Sequence, residues 1–133
     1  MLVTPCQRKR LDDEFKRFIK DVEPYVSAQP KNEQIAFLLY VSRVEKSLRE
    51  VETVEGLLGT WNNMVDGLNR FLSWLNGQDD QEVEQSMKIT KENVNAAREF
   101  LKKSYVPQIY ERMKKINMLY VLNGEKNEVP TPC

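Results

Sequence analysis

The chain has 133 residues, 41 % of them hydrophobic and 30 % charged, with a formal net charge of zero. That length supports one domain with a single core. There is no histidine and there are only two cysteines, so a zinc or haem centre and imidazole general-base chemistry lack the groups they need.

Five glycines are too few for an all-β fold, which turns every ten residues or so. No apolar run approaches the ~18 residues of a membrane span. The opening Met1-Leu2-Val3-Thr4-Pro5 carries no apolar core of signal-peptide length, and no Asn-x-Ser/Thr sequon occurs. These features predict an intracellular chain, cytoplasmic rather than nuclear. Cys6 and Cys133 lie almost at the two ends. In an even-numbered up-down bundle the ends meet, so a bridge is conceivable; the expectation is two reduced, idle thiols.

In chain order, Thr4-Pro5-Cys6-Gln7 reads as a helix start, with Thr4 and Gln7 as a capping box and Pro5 in the first turn. The Arg8-Lys9-Arg10 cluster reads as a solvated first turn. Leu11, Phe15, Phe18, Ile19 and Val22 mark its buried face, and Pro24 is expected to close it. After the linker 25–31, a second helix begins near Lys31 or Asn32.

From Phe37 to Leu75 apolar residues recur every three or four positions, at Phe37, Val41, Val44, Leu48, Val51, Val54, Leu58, Trp61, Val65, Leu68, Leu72 and Leu75. That spacing keeps one side of an α-helix dry. An unbroken helix over 32–76 would be roughly 67 Å long, against about 30–40 Å for a compact domain of this size. The expected break is Gly56–Gly59, with Thr60 capping a helix from Trp61. The alternative is an elongated hairpin whose glycines approach Ala96 and Ala97.

Asn76-Gly77 stops the third helix, and Asp79 with Glu82 caps the next. The stripe Val83, Met87, Thr90, Val94, Ala97, Leu101 and Ser104 or Tyr105 predicts one continuous fourth helix as far as Pro107. Beyond Pro107 the face continues through Ile109, Met113, Ile116 and Tyr120 to Asn123-Gly124. The tail 125–133 is expected to be loose.

The neutral sum hides a polarity. Residues 50–84 hold eight acids and one base, and residues 86–120 hold eight bases and three acids. The plain expectation is that these segments are antiparallel neighbours.

No catalytic constellation, metal set or cofactor motif is present. The carboxylates Asp79, Asp80, Glu82 and Glu84 fit helix capping. Two patterns point outward instead. Trp61, Phe71 and Trp74 are candidate partner-binding residues, and because Trp61 and Trp74 project about 140° apart on one helix, Trp74 is nominated as the exposed anchor of the kind enriched in interfaces. Lys102, Lys103, Arg112, Lys114 and Lys115 cluster with Tyr105 and Tyr110, a basic and aromatic mixture that also suits nucleic acid.

The expectation is therefore an all-α, antiparallel four- to five-helix bundle over 1–124. It would act as a non-enzymatic protein–protein interaction module, an adaptor or subunit of a larger assembly and a possible homo-oligomer. No small-molecule substrate, cofactor or metal is expected. The alternative is a nucleic-acid-binding module using the basic 102–115 face.

Overall fold

The computed structural model describes residues 1–104 and 106–124. Among them seven α-helices and a 3₁₀ turn follow one another: α1 (Pro5–Ser27), α2 (Lys31–Arg49), α3 (Val54–Leu75), α4 (Gln81–Ser86), the 3₁₀ turn Lys91–Asn93, α5 (Val94–Lys103), α6 (Val106–Lys115) and α7 (Met118–Asn123). The all-α bundle expected from the pattern is what forms. It has more and shorter helices in its second half than the stripe implied. The tail 125–133, with Cys133, lies outside the described residues, as does Tyr105.

Helix α1 starts at the expected capping box. Gln7 N donates to Thr4 Oγ1 at 3.1 Å, and Thr4 N donates to Gln7 Oε1 at 2.9 Å. It does not stop at Pro24. The helix runs through it to Ser27, because a proline in the last turns forfeits one backbone bond while buried Val26 holds the final turn on the core. The basic cluster is likewise not simply solvated. Arg8 donates to the carbonyls of Leu48 and Val51, and Arg10 to that of Leu122. Both guanidiniums thus sit at the negative ends of neighbouring helices, α2 and α7.

The long apolar stripe is broken, but earlier than expected. The break falls at 50–53 and not at Gly56–Gly59, and Thr53 caps α3 by accepting from Gly56 N at 3.1 Å. Both glycines lie inside α3, and Thr60, expected as a cap, instead donates to the Gly56 carbonyl within the helix. The N-terminal strand of chain latches onto this break: Val3 N donates to Glu52 O and Val54 N to Met1 O.

Gly77, at φ +101, ends α3 as expected, with Gln78 N reaching Ser73 O. The cap of α4 is Asp80, one residue after the expected Asp79; its carboxylate accepts from Val83 N. The predicted continuous fourth helix is interrupted at Lys88, which adopts φ +56, with Ile89 N bonded to Glu84 O. A second break at Ser104 separates α5 from α6. Asn117, whose side chain accepts from Tyr120 N, opens α7.

The core gathers α1, α2, α3, α6 and α7. Leu11, Phe15, Phe18 and Val22 meet Phe37, Val41, Val44 and Leu48, Leu57 and Trp61, and Ile109, Met113, Met118 and Leu122. The Phe15 and Trp61 rings pack edge to face at 6.5 Å, a preferred aromatic geometry. Glu14 and Asp21 on α1 clamp Arg112 of α6 at 3.1 and 2.9 Å. Cys6 is disulfide-bonded, which corrects the expectation of an idle thiol there.

Candidate functional site

The exposed anchor expected at Trp74 is not exposed. Trp74 is fully buried, as is Trp61 at 3 % exposure. The large angle between them is real, but Trp74 faces a second, smaller core. Its ring stacks on Phe71 with centroids 5.8 Å apart, lies beneath the Arg98 guanidinium at 5.0 Å, and donates from Nε1 to Glu84 at 3.2 Å. Arg98 also donates to the carbonyls of Trp74 and Gln78, both at 2.8 Å. This cluster pins α4 and α5 onto the end of α3. Trp74 and Trp61 are therefore structural and unavailable as anchors.

Phe71 is different. Half-buried on Trp74, it lines an open groove of about 410 Å³ between α3 and α4 with Gly67, Val83 and Met87. Arg70 closes one side, bound to Asp80 at 2.6 and 2.9 Å and to Glu82 at 2.9 Å. The hydrogen bond from Arg70 holds the Asp80 carboxyl below its ordinary range.

The basic set is spread over two helices. Lys102 and Lys103 end α5, Lys114 and Lys115 end α6, and the helix break at Ser104 stands between them. Arg112 is engaged by Glu14 and Asp21. The Tyr110 hydroxyl donates to Asn69 at 3.0 Å, and the Lys114 ammonium lies over its ring at 5.9 Å. The one described aromatic of the set thus has its hydroxyl and a face already occupied, which leaves little for base stacking.

The gap among Leu11, Phe15, Phe18, Val44, Trp61 and Met113 is about 10 Å³, no more than one water. Among the described residues no group of three or more His, Cys, Asp or Glu side chains could hold a metal ion, and no helix is long and apolar enough to cross a membrane.

What the sequence reading passed over is the outer face of α2. Ile35, Leu38 and Leu39 are 51 %, 57 % and 55 % exposed. They lie about 100–200° around the axis from the Phe37–Val41–Val44–Leu48 stripe, on one side of a 19-residue helix. The run Phe37-Leu38-Leu39-Tyr40-Val41 is apolar on nearly all sides, and the helix it opens has two apolar faces, one buried and one exposed. Exposed Lys31, Arg43 and Lys46 flank the outer one and form no ion pair among the described residues, whereas Arg49 is held by Asp12 and Glu45. The signal available in the sequence was the second period, Ile35 to Leu38 and Leu39, offset from the first.

Comparison of the chain with protein-family models, with curated proteins and with solved structures returns no match.

Proposed function

We propose that this chain is a non-enzymatic protein–protein interaction module, an adaptor or subunit of a larger assembly, that engages partners through apolar helix surfaces. The observation that carries the reading is the outer stripe of α2. Three large aliphatic side chains, each about half exposed, stand together at i, i+3 and i+4, the spacing by which helices present anchors to one another. Scattered exposed leucines need no explanation; an ordered row between basic residues does. The α3–α4 groove lined by Phe71, Val83 and Met87 offers a second apolar seat.

The test is affinity capture from the source cell with wild type, Leu38→Asp/Leu39→Asp and Lys102→Glu/Lys103→Glu side by side. The reading expects a specific protein lost with the α2 double variant and retained with the lysine variant. A nucleic acid captured by wild type, and lost with the lysine variant instead, would overturn it.

A further inference from the structure

The two apolar patches left outside the core carry opposite charge. The α2 stripe (Ile35, Leu38, Leu39) is bordered by Lys31, Arg43 and Lys46; of the two acids on α2, Glu45 is paired to Arg49 and Glu33 lies about 160° around the helix axis from Ile35. The α3–α4 groove lies in the stretch 66–87, where five acids stand against one base. Of these, Asp66, next to Gly67 of the groove, is exposed and forms no ion pair among the described residues, while Arg70 already serves Asp80 and Glu82. A basic apolar ridge and an acidic apolar groove thus sit on different elements of one molecule, and each remains open to solvent.

We infer that the occupant of the groove is the α2 ridge of a second copy of this chain, joined head to tail. The inference rests on the interaction-module reading and names its partner. Charge sets the geometry. A symmetric antiparallel α2–α2 contact centred on Leu38 and Leu39 would place Lys31 opposite Lys46, and like charges disfavour that pairing. Ridge against groove brings Lys31, Arg43 and Lys46 towards the acidic stretch instead. Gly67 assists, because nothing lies within 4 Å of where its Cβ would stand, so an incoming helix finds the groove unobstructed.

Magnitudes favour two matched patches over one. Finishing the burial of three half-exposed aliphatic side chains gains less than the loss of translational and rotational freedom on association costs. Apolar area on both partners, with complementary charge, is needed to bind at all. A ridge and a groove on the same chain form a heterologous contact, which propagates as a chain or closes as a ring.

Light scattering across a concentration series, coupled to size exclusion, tests this with wild type, Leu38→Asp, Gly67→Trp and an equimolar mixture of the two variants. Circular dichroism confirms that each variant is folded. Leu39→Asp and Met87→Glu form a reserve pair should either first variant misfold.

The wild-type mass is expected to rise with concentration beyond twice the monomer, and less steeply in high salt. Each variant alone is expected to stay monomeric, while the mixture stops at twice the monomer, because one intact ridge meets one intact groove. Wild type monomeric throughout, a closed dimer that either variant retains, or a mixture that stays monomeric would each overturn the inference. If wild type is monomeric while the α2 double variant still loses a captured protein, the inference falls and the interaction-module reading stands.

Discussion

Gly56 and Gly59 lie one turn apart in α3 and are expected to answer a methyl group differently. Gly59 is exposed with nothing within 4 Å of its would-be Cβ, whereas a Cβ at Gly56 would stand 2.9 Å from both Thr53 Oγ1 and Val51 Cγ1. Gly59→Ala should raise the free energy of unfolding by about 1 kcal/mol through helix propensity and a less flexible unfolded chain. Gly56→Ala displaces the Thr53 cap and should lose that gain; urea unfolding of the pair measures the difference. Trp74→Ala, taking a fully buried ring from between Phe71, Glu84 and Arg98, should cost about 3–5 kcal/mol. Asp80 titrates below its ordinary value of about 3.9 because Arg70 hydrogen-bonds its carboxylate. With the folded value depressed, its contribution is fully present above the ordinary value and is lost as pH falls through the folded one. Asp80→Asn should therefore flatten part of the acid limb of a stability–pH curve below pH ~4, and an unchanged limb would contradict the pairing.

Of the seven described helices, α1, α3, α4 and α7 start at a side-chain cap, whereas α2 and α5 start without one. The start of α1 and the end of α3 were legible because Thr4-Pro5-Cys6-Gln7 and Asn76-Gly77 each carry a complete local device. Thr53 was not legible, since the apolar period runs through it unbroken; tertiary latches choose that break, with Arg8 on the Leu48 and Val51 carbonyls and Val3 on Glu52. Pro24 misled in the opposite sense, because a lost backbone bond in a last turn is outweighed by burying Val26. Lys88 at φ +56 ends α4 at a residue type that carries no such signal. The candidate site followed the same logic: aromatic content pointed to α3, whereas exposure is decided by what packs against each face, and α4 and α5 close over Trp74. Thr53→Ala should cost about 1 kcal/mol. Arg112→Ala, which strips Glu14 of the guanidinium joining α6 to α1, should cost about 2–3 kcal/mol. Thermal melts of both against wild type check the ranking.

For the molecule as a whole, the main core with Trp61 and the smaller one around Trp74 account for both tryptophans and most of the large aliphatic residues, and the ordered row on α2 is what they leave outside. The account therefore turns on Leu38 and Leu39 being surface residues on a helix whose other face is core. Equilibrium unfolding of Leu38→Asp/Leu39→Asp, set beside Val41→Asp as the core reference, tests this without knowledge of any partner. The account predicts a change within about 1 kcal/mol for the double variant, as for surface substitutions, and near-complete unfolding for Val41→Asp. A double variant destabilised by several kcal/mol, as Val41→Asp is expected to be, would place those leucines inside the protein and contradict the docking surface outright.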